Sequence, residues 1–116
     1  MDFEKLNQQH RKAMELASQA LLARQRGDEG KAVPLFREAY ELERGVANEI
    51  APTDLEPSRS VIHRSAATLA VDCGEYREAE KLLLTALLGN PPASIAAKLR
   101  ELLMQVVPHL QRAVGD

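Results

Sequence analysis

The sequence predicts an all-α protein of about five helices arranged as antiparallel hairpins, and three observations support this. The 116 residues are 45% hydrophobic but include only two Phe, two Tyr and no Trp, so alanine and aliphatic side chains must supply the core. No stretch alternates β-branched and polar residues as a strand does. A glycine turn followed by a helix with an apolar face occurs twice, at Gly27 and at Gly74, 47 positions apart.

Charge and cysteine content exclude several classes of function. The formal net charge is −2 and the basic residues are spread along the chain, so there is no basic field for nucleic acid. Cys73 is the only cysteine, which rules out an intramolecular disulfide and suits a reducing compartment. The N-terminus lacks a signal-peptide pattern, and no apolar run approaches the roughly 18 residues of a membrane span. We therefore expect a soluble, cytoplasmic protein that binds neither nucleic acid nor membranes.

The first hairpin is predicted from apolar spacing and from the residues that end each helix. Helix one should begin near the N-terminus and run to about Gln25, with alanine and leucine recurring at helical spacing. Gly27 ends it, and Asp28 caps the second helix. That helix should reach residue 48 or 49, with a kink or a loose first turn where Pro34 lacks an N–H.

The remaining helices follow a connector at residues 51–57. Within it, Thr53 and Glu56 have the spacing of a capping box, which predicts a third helix from Pro57 to about residue 73. The fourth helix should span about residues 76–88 and stop at the Gly-Asn-Pro-Pro sequence that follows. A fifth should start at residue 92 or 93, reach at least residue 106, and bend or end at Pro108.

The two glycine turns belong to an internal repeat. A shift of 47 positions also superposes small and apolar residues: Ala20 on Ala67, Ala23 on Ala70, Ala32 on Ala79, Leu35 on Leu82 and Ala39 on Ala86. These residues lie where two antiparallel helices must touch. Alanine lets the backbones come close, and glycine permits the left-handed turn between them.

The repeat resembles the tetratricopeptide repeat, whose usual period is 34 residues. The second copy carries the resemblance best, with Ala67 in the small position of its first helix, Gly74-Glu75-Tyr76 in the turn, then Ala79, Leu83, Ala86 and Pro91. The resemblance implies a single domain over residues 1–116 that forms a short right-handed α-solenoid. Repeat one would cover about residues 13–46, repeat two about 60–91 and a capping helix about 92–113. The longer period adds about 13 residues to the second helix and its connector.

In that family the first helix of each hairpin lines a concave face. The resemblance therefore implies a partner-binding surface formed by Met14, Leu21, Arg24, Arg59, Val61, Arg64, Thr68 and Lys98. Three of its basic groups, Arg24, Arg64 and Lys98, would hold an acidic or carboxylate-ended peptide through charge-assisted hydrogen bonds. The alternative is that these three side chains are only solvated.

Arg59 and His63 leave two interpretations open. Because they lie four residues apart on one predicted helix, they are neighbours on its surface and would form a specificity patch for a partner. Alternatively, His63 packs in the position that is aromatic in the family. In that case the stem of Arg59 lies on the protein while its charge reaches water.

Residue types suited to catalysis or metal binding occur without a supporting pattern. His63, Ser65 and Asp72 are the types found in a catalytic triad, but on one helix they cannot converge. The three histidines and Cys73 lack the paired spacing of metal ligands. We therefore expect no enzyme activity, no cofactor and no metal, and we expect Cys73 to be a small packed residue.

Together these patterns predict a non-catalytic protein-interaction module that acts as an adaptor, a scaffold or a small chaperone. Two alternatives stay open. One is a structural homo-oligomer, such as a homodimer joined through exposed apolar surfaces. The other is a sensor that binds a small molecule or a nucleotide through the Arg/His cluster of the third helix.

Overall fold

The protein consists of five α-helices joined by short connections. The computed structural model describes the backbone of residues 1–115 and the side chains of residues 1–111. The helices are α1 (Phe3–Gln25), α2 (Glu29–Ile50), α3 (Ser58–Asp72), α4 (Tyr76–Leu87) and α5 (Ala93–Gly115). The described part of the chain contains no β-strand. The predicted all-α fold with five helices is confirmed.

The ends of the helices in the first hairpin follow local rules. The carboxylate of Asp2 accepts the backbone N–H of Lys5 at 3.1 Å and caps α1, and Asp28 caps α2 in the same way through Lys31 at 3.1 Å. Gly27 lies in the left-handed region with φ of 82°, as does Gly74 in the second hairpin with φ of 83°. The Asp28 cap and both glycine turns agree with the sequence prediction.

The capping box predicted before α3 is wrong. The hydroxyl of Thr53 donates to the carbonyl of Ile50 at 2.7 Å and accepts the N–H of Leu55 at 3.3 Å. Thr53 therefore closes the turn that follows α2 and leaves no oxygen for α3. The N-cap position of α3 is Pro57, which provides no side-chain cap. Threonine hydroxyls often form hydrogen bonds to backbone groups a few residues away, and here such bonds replace the predicted cap of α3.

Proline ends neither of the two helices that contain it. α2 runs through Pro34 to Ile50, and α5 continues past Pro108 to Gly115. Of the two outcomes expected at Pro108, a bend or an end of the helix, the end is therefore wrong. Both prolines are exposed, and so is the residue four positions before each, whose carbonyl loses its helical partner. Water can bind these carbonyls, and the buried residues on either side keep the helix packed.

Helices that follow one another in sequence pack against one another. α1 contacts α2, α2 contacts α3, α3 contacts α4 and α4 contacts α5, while α5 also reaches α3. Alanine lines these contacts, as the repeat predicts, and the fully buried alanines include Ala20, Ala32, Ala39, Ala67, Ala79 and Ala86. The small side chains allow close helix approach. As a result, α2 lies between α1 and α3 and forms a floor beneath them.

Candidate binding groove

A groove runs between α1 and α3, and we name it the α1–α3 groove. Both helices pack on α2 but make no extensive contact with each other. The groove contains two pockets that share Val61. The C-terminal pocket has a volume of about 570 Å³, and the N-terminal pocket has a volume of about 480 Å³. Both volumes fall within the range of ligand-binding clefts.

The C-terminal pocket brings together most of the residues predicted for the partner-binding surface. Six of the eight line it, namely Met14, Leu21, Arg24, Val61, Arg64 and Thr68. Leu21 and Val61 are 50% and 47% exposed, although both are apolar. Phe36 of α2 forms part of the floor. An open cleft that combines exposed apolar side chains with polar ones is suited to binding a surface that is itself partly apolar.

Arg24 lies at one end of the C-terminal pocket and is held by three groups. Its Nε donates to Oε1 of Glu29 at 2.6 Å, and its Nη2 donates to the carbonyl of Asp72 at 3.1 Å. Its guanidinium carbon also lies 4.6 Å from the centroid of the Phe36 ring. The hydrogen bond to Glu29 raises the pKa of Arg24 and lowers that of Glu29. Arg24 is therefore an organised part of the wall.

Arg64 differs from Arg24 because its charge is not compensated. The side chain is exposed, and within the described part of the chain it forms no ion pair. The hydroxyl of Thr68 donates to the backbone carbonyl of Arg64 at 3.0 Å, and this bond does not involve the guanidinium. A cation beside an apolar pocket favours an acidic group in a ligand.

The N-terminal pocket is a part of the groove that sequence reasoning missed. Its apolar wall includes Phe3, Val46, Ile50, Leu55 and Ile62, and its polar lining includes Asn7, His10, Glu56 and Ser58. A signal was present in the sequence. The residues of α1 that line the two pockets on one face recur at alternating spacings of four and three: Phe3, Asn7, His10, Met14, Ala17, Leu21 and Arg24. Extending the predicted face backwards from Met14 would have found the first three.

A hydrogen bond between a partly exposed histidine and a buried carboxyl group lies beside the N-terminal pocket. Nδ1 of His10 is 2.9 Å from Oε1 and 2.8 Å from Oε2 of Glu43, whose residue is fully buried. The pair joins α1 to α2, and it fixes the orientation of the His10 ring in the pocket wall.

Arg59, predicted to bind a partner, is instead an internal structural group. The residue is only 7% exposed. Its guanidinium donates from Nε to the carbonyl of Ala51 at 2.7 Å and from Nη2 to the carbonyl of Thr85 at 3.1 Å. It therefore neither faces a partner nor reaches water. The buried guanidinium of Arg59 also lies against Gly89, which follows α4. A Cβ at residue 89 would collide with it.

His63 and Cys73 are packed residues. This agrees with one of the two sequence interpretations of His63 and with the prediction for Cys73. His63 is 1% exposed, and its Nδ1 donates to the carbonyl of Arg59 at 2.7 Å. Burial lowers the pKa of His63 and raises that of Cys73. The specificity patch of Arg59 and His63 is therefore not a surface feature.

Lys98, the eighth predicted residue, is exposed on α5 and lines neither pocket. Apolar side chains that a homo-oligomer could use lie elsewhere, including Leu88 at 88% and Met104 at 75% exposure. Among the described residues, no three His, Cys, Asp or Glu side chains are grouped to hold a metal ion. Within the same residues, no helix has both the length and the apolar character needed to cross a bilayer.

Comparisons of the chain with protein-family models, with curated proteins and with solved structures find no match. The likeness to tetratricopeptide repeats therefore depends on the residues of this chain alone. The α1–α3 groove is the structural feature that points to a function.

Proposed function

We propose that this protein is a non-catalytic interaction module, of the tetratricopeptide type, that holds a segment of a partner protein in the α1–α3 groove. In this role it would serve as an adaptor, a scaffold or a small chaperone in the cytoplasm. The glycine turns, the alanine contacts and the repeat spacing support the family assignment. The free, buried thiol of Cys73 suits a reducing compartment.

The observation that carries the proposal is the apolar opening of the groove around Val61. Val61 lies in both pockets and is half exposed, as is Leu21. Apolar side chains that line a cleft in this way lose contact with water when a complementary segment binds. A nucleotide sensor based on the Arg/His cluster of α3 has less support, because Arg59 and His63 are buried and only Arg64 remains accessible.

A substitution at the centre of the groove tests the proposal. Segments that bind the wild-type protein can be selected from a displayed peptide library, and their affinities measured by fluorescence anisotropy. Val61→Glu places a charge where both pockets meet, so we expect it to weaken binding roughly tenfold or more. The matched control is Leu84→Glu on α4, where Leu84 is 44% exposed and lies outside both pockets.

The control should bind selected segments like the wild type. Equal affinities of wild type and Val61→Glu for every selected segment would show that the groove is not the binding site. Circular dichroism of each variant without ligand verifies that the helices are intact.

A further inference from the structure

The beginning of α1 is packed much less than the rest of that helix. We name residues 3–12 the α1 lid. Leu6, at 9% exposure, is the one buried residue of the lid. The remainder of α1 buries four residues, namely Ala13, Leu16, Ala20 and Ala23. Because burial of an apolar face is what mainly holds a helix in place, the lid is attached more weakly than residues 13–25.

Open space borders the α1 lid on both flanks of its contact with α2. The N-terminal pocket lies on the flank that faces α3. On the other flank, a cleft of about 270 Å³ lies between Lys5 and Gln9 of the lid and Gly45 and Glu49 of α2, and Leu6 lines both spaces. A Cβ at Gly45 would meet no atom within 4 Å. Side chains that border open space lack packing contacts on that side, so neighbouring elements support the lid poorly.

One hydrogen-bonded pair joins the α1 lid to α2. Nδ1 of His10 lies 2.8 Å from Oε2 and 2.9 Å from Oε1 of Glu43. Within the described part of the chain, no other side chain of the lid forms a hydrogen bond or an ion pair with another helix. By contrast, Arg24 near the end of α1 bonds to both Glu29 and the carbonyl of Asp72.

Glu43 depends on the α1 lid for its hydrogen bonds. The residue is fully buried, and within the described part of the chain His10 is its only hydrogen-bond partner. A buried carboxyl group without a partner is costly in free energy, whichever of the two residues carries the proton. If the bond to His10 is lost, Glu43 gains new partners only where water can reach it.

We propose that the α1 lid lifts from α2 while residues 13–25 stay packed, and that the hydrogen bond between His10 and Glu43 holds it closed. Lifting brings Glu43 into contact with water. It also widens the N-terminal pocket, because the lid supplies Phe3, Leu6, Asn7 and His10 to the wall of that pocket. The inference concerns the free protein, so it holds whatever ligand the groove takes.

Native-state amide hydrogen exchange of the full-length protein, at low concentrations of urea, tests the proposal. In the wild type, the amides of residues 8–12 should be protected at least roughly tenfold less than those of residues 17–24. Their exchange should hardly depend on urea, because lifting the lid exposes little surface. Equal protection in the two parts of α1 would overturn the proposal.

His10→Leu tests the hydrogen bond that holds the α1 lid closed. Leucine fills similar space but leaves Glu43 without a partner, so the protection of residues 8–12 should fall by a further factor of roughly ten. Adding Glu43→Met removes the unpaired carboxyl group and should restore most of the lost protection. Unchanged exchange in His10→Leu, or no recovery in the double variant, would show that the bond does not hold the lid.

Leu99→Ala is the control for unfolding of the whole protein. Leu99 is fully buried in α5, which makes no extensive contact with α1. Because lifting the lid leaves α5 packed, this variant should not change the exchange of residues 8–12. A loss of protection there that follows the loss of global stability would show that the lid opens only when the protein unfolds, and would overturn the proposal.

Discussion

Arg59 places a guanidinium inside a protein whose core is otherwise mostly alanine and leucine. Its partners are backbone carbonyls at the end of α4 and just after α2, with Glu56 at 4.0 Å. These carbonyls belong to the ends of helices, where intrahelical donors are missing. One arginine thus supplies hydrogen bonds that the C-terminal ends of two helices lack, and it ties the two hairpins together.

Arg59→Ala should therefore destabilise the protein strongly. Removing a buried charged donor from several carbonyls should lower the free energy of unfolding by about 3 kcal/mol, as measured by urea denaturation followed by circular dichroism. Arg77→Ala is the control, because Arg77 is exposed and only pairs with Glu80 at 3.5 Å; a change below about 0.5 kcal/mol is expected. If Arg59→Ala lowered the free energy of unfolding no more than Arg77→Ala does, the internal hydrogen bonds of Arg59 would not stabilise the fold.

His63 should make the stability depend on pH. Burial lowers its pKa below the ordinary value of 6.5, so the unfolded chain takes up a proton before the folded chain does. The free energy of unfolding therefore falls as the pH drops below about 6.5. His63→Gln keeps an N–H donor but does not titrate, so between neutral and mildly acidic pH it should lose less stability than the wild type in urea denaturation. Parallel pH curves for the two proteins would contradict the neutral, buried state of His63.

Residue-scale outcomes were only partly predictable from sequence. His63 and Cys73 could be placed in the core because their positions follow the apolar face of α3 and the helix end. The position of the Arg59 side chain could not be derived, because it is set by the carbonyl of Thr85, 26 residues away. A buried and a solvated arginine look alike in local sequence.

At the scale of elements, the turn inside each hairpin depends on glycine in a left-handed conformation. Gly74 has φ of 83°, whereas Gly45 lies inside α2 with no positive φ, and a Cβ at either site would meet no atom within 4 Å. Gly74→Ala should cost about 1 kcal/mol of unfolding free energy from backbone strain. Gly45→Ala should instead add about 0.5 kcal/mol, because alanine favours helix. Thermal or urea denaturation that gives both changes the same sign would refute the conformational argument.

Helix boundaries were predictable because they depend on neighbours in sequence. Asp28 and the two glycine turns act within one turn of the residues they affect. The errors at Thr53 and Pro108 arose where two local options compete. The hydroxyl of Thr53 bonds to the turn after α2 instead of capping α3, and an exposed proline can remain inside a helix that is packed on both sides of it.

At the scale of the whole molecule, the contacts form a chain in which each helix meets its neighbours in sequence. Leu99, fully buried, anchors α5 at one end of this chain. Leu99→Ala should lower the free energy of unfolding by about 2–4 kcal/mol. Because α5 contacts α4 and α3 but makes no extensive contact with α1, amide hydrogen exchange should show the largest loss of protection in α4 and α5 and the smallest in α1. Equal loss throughout the chain would instead show a single cooperative unit.

The groove was predictable to about half its length. The repeat located Met14, Leu21 and Val61 on one face, since the first helices of the two hairpins lie side by side. The N-terminal pocket includes Leu55 and Glu56 of the connector, which belong to the region that departs from the 34-residue period. Residues outside a repeat pattern cannot be placed by it, and the path of the connector depends on packing between distant segments.

Arg24 links ligand binding to the way the two hairpins are joined. It lines the C-terminal pocket and donates to the carbonyl that ends α3, while Arg37 of α2 donates to the carbonyl of Cys73 at 3.1 Å. A ligand carboxylate that draws Arg24 towards itself must compete with Asp72 and Glu29. Because such effects are reciprocal, we expect any change that loosens the end of α3 to strengthen binding of such a ligand, and the ligand to weaken the contact between Arg24 and α3.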